Sequence, residues 1–373
     1  MADTRSSGRS AGSNVLTVAM WVSLICFVIC MTGYVLLTRY AKEHPAMAPV
    51  PAAAGEERLY TQEYLDQRVA DATRSALEGG SIEVEDAYER GLEAGRKGVL
   101  DTIRELLSGG MSVLEVLRPL YTEEVVVVSN KTFHFVPIQF NLKLSEMLQE
   151  RLSVLESGEF TYLGEDGETV ISHKGIDVSQ HQGRINWEKV ADEGVEFALI
   201  RSIYRGYGSG KLVEDSTYED NMEGAIQNGI HVGTYVFTQA ISEEEMLEEA
   251  QTAIERAKPY GTGFPIVIDV ERVEGENPRM DALTKEERTD LVLLFCRTVE
   301  EAGYLPMIYY NTEMSLLYME VERLEEIPKW FASYTESLFY PYSYNIWQYS
   351  PKGSVSGIKG EVDMNLCLDP FWE

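Results

Sequence analysis

Two carboxylates stand two residues apart in Phe264-Pro-Ile-Val-Ile-Asp269-Val-Glu271. The β-branched run before them reads as a buried parallel strand, and residues i and i+2 of a strand share one face. Asp269 and Glu271 therefore aim the same way from the strand's carboxyl end. In a closed barrel of parallel strands that end is the mouth where catalytic groups sit. Two carboxylates facing one hollow repel each other, so at least one pKa rises and one group can keep its proton near neutral pH. That is equipment for general acid catalysis. The plainer reading is a solvated strand end, because a D-x-E triplet arises by chance in many acidic chains.

From Lys174 onward, short apolar runs alternate with amphipathic patterns, which reads as α/β with a parallel sheet. Strands are expected at Gly175–Val178, Phe197–Arg201, His231–Phe237, Pro265–Val270, Pro306–Tyr310, Lys329–Ala332, Ile346–Gln348 and Glu361–Met364. Helices are expected at Asn186–Glu193, Tyr218–Asn228, Ser242–Ala257 and Thr284–Ala302. Eight strands, the last few without full helices between them, predict a compact, irregular, TIM-like β/α barrel. Asp177 ends the first strand and Asp363 the last, and those strands are neighbours in a barrel. Four carboxylates, Asp177, Asp269, Glu271 and Asp363, are thus expected at one mouth. Aromatic and amide side chains fall at other strand ends: Tyr204, Tyr235, Phe237, Tyr309, Asn311, Tyr334, Trp347 and Gln348. Such a rim suits sugar rings, whose C–H faces lie on aromatics while their hydroxyls bond to amides and carboxylates. For any one of these aromatics alone, core packing is the plainer reading.

The formal charge of −29 argues against a nucleic-acid partner, which would need clustered Lys and Arg. Four cysteines form no CxxC, and no HExxH occurs, so neither zinc nor a redox dithiol is suggested. No metal or organic cofactor is expected. A Cys296–Cys367 bridge stands as the alternative to two buried thiols.

Residues 1–14 read as a short tail of small and polar residues. Val15 to Leu37 is almost wholly apolar and uncharged, long enough for a transmembrane helix, assigned to residues 15–38, that would place the lipid bilayer among the partners. A cleaved signal peptide is the rival, although signal cores are shorter. Arg5 and Arg9 on one side match Arg39 and Lys42 on the other, so flanking charge does not set the orientation. Residues 39–110 read as a Pro/Ala linker and a helical stalk, with helical patterns at Thr61–Leu77 and Glu83–Leu107. Ala87, Gly91, Ala94 and Gly98 follow a 4-3-4 spacing that would allow self-association of the stalk; a solvated spacer is the alternative. Residues 111–172 read as a small α+β module. Val125–Val128 and Thr132–Phe140 would be paired strands turned at Ser129-Asn-Lys, and Leu142–Leu155 an amphipathic helix. His134, between Phe133 and Phe135, is a strand residue before it is a ligand. The module is too small for much core of its own and should lean on its neighbour.

The stretch Lys174-Gly-Ile-Asp177-Val-Ser-Gln-His-Gln-Gly183-Arg-Ile-Asn-Trp187 resembles the opening signature of glycoside hydrolase family 25 lysozymes. Further matches follow in order: Gly194 to Arg201, Asn221, Gly229 to Tyr235, Asp269-Val-Glu271, Trp330 to Tyr334, Trp347-Gln-Tyr and Val362-Asp363. They cover nearly all of residues 174–373 and none of residues 1–173. One departure is Val236-Phe237, where many members carry a His-Phe pair; that touches a substrate contact, not the acids. The resemblance implies an N-acetylmuramidase that cuts peptidoglycan glycan strands. Glu271 would be the general acid, and Asp269 would stabilise the transition state or the substrate's 2-acetamido group. Asp177 and Asp363 would hold the network, bind the sugar or position water. Peptidoglycan lies outside the plasma membrane, so the expected topology is N-terminus cytoplasmic and barrel extracellular. A membrane-anchored, non-catalytic sugar-binding protein is the rival reading.

Overall fold

A computed structural model describes residues 82–261, 263–273, 278–335 and 337–372, together with residues 67 and 70. They fall in the compact unit Leu59–Glu373. The expected span 15–38, the linker, and nearly all of the pattern at Thr61–Leu77 lie outside the described residues. Among the described residues no helix is long and apolar enough to cross a membrane.

Helix α1, Ile82–Ser108, matches the second stalk pattern to within one residue at each end. Its Gly91 and Gly98, both on the small-residue stripe, would offer an added Cβ only open space, so no described segment packs against those two positions. The short helix α2, Val113–Leu117, begins in a capping box: the Ser112 hydroxyl accepts from Glu115 N at 3.2 Å, and Glu115 Oε2 accepts from Ser112 N at 2.8 Å. Strands β1, Glu124–Ser129, and β2, Thr132–Pro137, then form the expected antiparallel hairpin. Its two turn residues, Asn130 and Lys131, have φ of 49° and 64°, the left-handed pair that a tight two-residue turn demands.

The helix expected at Leu142–Leu155 does not form. Leu144 is instead bridged to Tyr342, Ser145 N donates to Pro341 O at 2.8 Å, and the only helical piece in the segment is a single 3-10 turn at Gln149–Arg151. Pairing with the barrel supplies those amides with partners that a helix would otherwise have given them, so tertiary contact overrides the local pattern. The segment ends in β3, Leu152–Val154, paired with β4, Phe160–Tyr162. Val125, Val127, Leu142 and Tyr162 are buried in the same apolar cluster as the outer barrel wall.

The barrel strands are β5, His173–Val178; β6, Phe197–Arg205; β8, His231–Phe237; β9, Pro265–Asp269; β10, Leu305–Asn311; β11, Lys329–Ala332; β12, Ile346–Gly353; and β13, Val362–Cys367. The short β7, Leu212–Glu214, folds back on β6 and was not legible in the sequence. Helices α3, Trp187–Asp192, α4, Tyr218–Gln227, α5, Glu243–Ala257, and α6, Lys285–Glu301, lie where the periodicity placed them. Pairing runs β5-β13-β12-β11-β10-β9-β8-β6, and β5 also pairs with β6, so the sheet closes. One correction concerns direction. β13 is antiparallel to both β12 and β5, so Asp363 lies at the start of its strand rather than its end. Because the strand runs backwards, its first residues reach the same mouth as the last residues of the parallel strands.

Alternation along each strand divides the core. Phe197, Leu199, Val267, Met307, Trp330 and Ile346 fill the barrel interior, whereas Ala198, Ile200, Ile268 and Ile308 face the outer layer. Gly175 makes room for the Phe197 ring: a Cβ there would lie 2.2 Å from it. Phe371 and Trp372 close the lower opening, with Trp372 stacked on His231 at 4.6 Å and 5.6 Å from the Phe197 ring. Cys296 and Cys367 are both buried free thiols, not a bridge.

Candidate active site

The four acids meet at the upper mouth. Asp177 sits directly across the ladder from Asp363, and Asp269 is the last residue of β9, flanked in register by Phe237 and Tyr309. Glu271 follows two residues on. All four line a cavity of about 640 Å³, together with Tyr204, Tyr235, Phe237, Tyr309, Tyr334 and Gln348. Tyr204 faces inward because the β6 register slips between Arg201 and Ile203; without that bulge the alternation would turn it outward.

Two of the sequence candidates sit elsewhere. Trp347 is buried outside the barrel against Phe160 and Tyr349, and its indole donates to Ser333 O at 2.8 Å. Its neighbour Gln348 points inward, and adjacent strand residues face opposite sides. Asn311 turns back on its own chain, where Oδ1 accepts from Met314 N at 2.9 Å and caps the following turn.

Gln348 and Asn365 hold Asp177. The hydroxyls of Tyr309 and Tyr334 each donate to Gln348 Oε1 at 2.8 Å, which leaves its Nε2 to donate to Asp177 Oδ2 at 2.8 Å. The Trp330 indole donates to Asn365 Oδ1 at 2.7 Å, and Asn365 Nδ2 donates to the same Asp177 oxygen at 2.8 Å. Each amide has its orientation fixed by donors that occupy its oxygen. Sequence reasoning missed Asn365 and Trp330. The signal for Asn365 was present: it stands two residues beyond Asp363, on the same face of the strand. Arg201 and Asp215 were missed as well. Arg201 Nε donates to the buried Asp215 Oδ2 at 2.9 Å, and the guanidinium lies 5.0 Å from the Tyr204 ring centroid. Asp215 follows the unforeseen β7, so no pattern pointed to it.

Burial dominates the electrostatics. Desolvation, then repulsion from Asp363, pushes the Asp177 pKa well above the ordinary carboxylate range, and the two amide donors only partly oppose it. Asp269 is likewise pushed well up, by burial and then by the charges of Glu271 and Asp177, with Arg201 pulling the other way. Its Oδ1 is buried and has no hydrogen-bond partner among the described residues. Burial, then Asp363, raises Glu271 to about 7. Burial raises Asp363 to about 6, and a hydrogen bond from Asp177 opposes the rise. Such a cluster holds protons near neutral pH and has a carboxyl oxygen free for a ligand. Acid catalysis at an oxygen leaving group needs both.

Residues 176–358 match the family model described as glycosyl hydrolases family 25. The autolytic lysozyme of Clostridium acetobutylicum is 28% identical over 201 residues, 54% of this chain and 56% of that protein. The chain thus spans little more than half the length of that relative. An uncharacterized protein, YegX, of Escherichia coli K12 is 29% identical over 208 residues, 52% of this chain and 68% of that protein. Among solved structures, a family 25 glycosyl hydrolase from Bacillus anthracis is 23% identical, covers 58% of this chain and 96% of its own, and superposes with a TM-score of 0.47.

Proposed function

We propose that this chain, whose residues 176–358 match the family 25 glycosyl hydrolase model, hydrolyses the β-1,4 bond between N-acetylmuramic acid and N-acetylglucosamine in peptidoglycan. The observation that carries this reading is the cavity of about 640 Å³ in which four carboxyls, each with a raised pKa, face a rim of aromatic side chains. The name of the Clostridium relative, an autolytic lysozyme, supports the same substrate class.

In this mechanism Glu271, raised to about 7, passes its proton to the glycosidic oxygen as the bond to the anomeric carbon breaks. Positive charge grows on that carbon. Asp269, with its unpartnered Oδ1, stabilises that charge or orients the neighbouring 2-acetamido group. Water adds to the anomeric carbon and leaves its proton in the carboxylate cluster, so the products are two sugar ends bearing hydroxyls. Asp177 and Asp363 hold the cluster together and position water or sugar. Tyr204, Tyr235, Phe237, Tyr309 and Tyr334 supply faces and hydroxyls for the saccharide.

The apolar stretch at residues 15–38 serves, in this reading, as a single-pass plasma-membrane anchor. The N-terminus lies in the cytoplasm and the barrel outside, where the wall is. The stalk follows the anchor, with its small-residue stripe available for self-association.

The test compares wild type with Glu271→Gln on purified cell walls, reading turbidity and the fragments by mass spectrometry. Wild type clears the walls and releases chains with muramic acid at the reducing end, the variant does not, and wild-type clearing declines as pH rises through about 7. Equal clearing by both proteins removes Glu271 as the acid. Binding to walls with no clearing by either favours a membrane-anchored sugar-binding protein without catalysis.

A further inference from the structure

We propose that the β1–β2 hairpin of the module preceding the barrel is a positioning element for Glu271, acting through the neighbouring Arg272. The inference rests on the reading of Glu271 as the acid. It concerns a part of the chain outside the family match.

Glu271 lies past the end of β9, where regular pairing has stopped. The last backbone tie before it is Val270 N to Tyr309 O, at 3.0 Å. The next firm hold is the side chain of Arg272. Its Nη1 donates to Glu313 Oε1 at 2.9 Å and its Nη2 to Asp281 Oδ2 at 3.4 Å. The hairpin meets this same anchor twice. Asn130 Oδ1 accepts from Arg272 Nη1 at 3.4 Å. The adjacent Ser129, only 3% exposed, bonds through its hydroxyl to that of Tyr318 at 3.2 Å, and the Tyr318 ring centroid lies 5.1 Å from the Arg272 guanidinium. The ion pairs hold the charge of Arg272, and the hairpin fixes its plane between an amide oxygen and a ring face.

The hairpin tip is well suited to this. Both turn residues are in the left-handed region, so the two-residue turn has one shape and presents Ser129 and Asn130 in a fixed place. The strands behind it are anchored by Val125, Val126 and Val127, all buried. A general acid depends on placement to a fraction of an ångström and on exclusion of water. If the tip lets go, Arg272 has room to swing, the Glu271 segment loosens and water reaches the carboxyl. Asp269 faces Glu271 from its own strand, and Asp363, Tyr309 and Tyr334 from other elements; all are acids, and none holds it by opposite charge.

The test uses the full chain with Asn130→Gly and Tyr318→Phe combined. Glycine keeps the left-handed turn while removing the amide, and phenylalanine keeps the ring under Arg272 while removing the hydroxyl. Phe133→Ser, on the exposed face of the same hairpin, controls for general damage to the module. The double variant should lose roughly three- to tenfold in kcat at unchanged KM, and its alkaline limb should move to lower pH. The control should match wild type. Wild-type kcat and pH profile in the double variant overturn the proposal. Hydrogen exchange over residues 268–273 reads the same hold without any turnover: faster exchange in the double variant supports it and unchanged exchange overturns it. A wild type that cuts no glycan sinks the hydrolase reading, while the exchange result still decides the role of the hairpin.

Discussion

A buried carboxyl that keeps its proton in the folded protein ties stability to pH. Glu271 is raised to about 7 and Asp363 to about 6, against roughly 4 in an unfolded chain. The folded state therefore binds more protons than the unfolded one between about pH 4 and 7, so stability falls as pH rises through that window. Glu271→Gln removes one such loss. Thermal denaturation should find the variant more stable than wild type by on the order of 1–3 kcal/mol at pH 8, with almost no difference at pH 4. Activity and stability then move in opposite directions at one residue, a pattern that a merely structural glutamate does not give. Asn365→Leu is expected to act differently. It strips Asp177 of one donor and leaves the Trp330 indole without its acceptor, so kcat should drop by about ten- to a hundredfold and stability by about 1–3 kcal/mol, measured by glycan turnover and denaturant melts. The acids themselves were legible because the two-residue repeat and the strand ends announce them. Asn365 is equally legible by that rule, standing two residues beyond Asp363 on the same face of its strand. Trp347 and Gln348 cannot both face the cavity, because the pleat turns only one of two strand neighbours inward.

At the scale of elements, the eight barrel strands and four of its helices were readable because each buries one periodic face. What failed was any feature decided by a distant partner. The run from Leu142 is set by backbone bonds to Pro341 and Tyr342, some two hundred residues away, and no local pattern encodes them. The reversal of β13 is invisible for the same reason, since an apolar strand reads alike in either direction. The close fit of β5 on β6 makes a test of the barrel itself. Gly175→Ala places a methyl 2.2 Å from the Phe197 ring, which is pinned by Phe371 and Trp372 and has little room to yield. Overpacking of this kind should cost about 1–3 kcal/mol, seen as a lower denaturation midpoint at unchanged m-value.

Across the whole molecule the charge is −29, and anionic wall polymers should repel it. Clearing of walls is expected to speed up as salt rises from about 10 to 150 mM, because the screening length shortens from roughly 30 to 8 Å; a flat salt response would count against this. The proposed anchor makes a separate prediction: the full chain should sediment with membranes and come free in detergent but not in high salt. Neither follows from the barrel alone; one needs the composition of the entire chain and the other its first forty or so residues. The stoppered floor has a consequence of its own. With Phe197, Leu199, Val267, Met307 and Trp330 packed above Trp372, the hollow is a cup, not a pipe. On the proposed reading, a glycan strand would lie across the lip of this cup rather than thread the barrel, so a bond in mid-strand would be as open to attack as one at the tip.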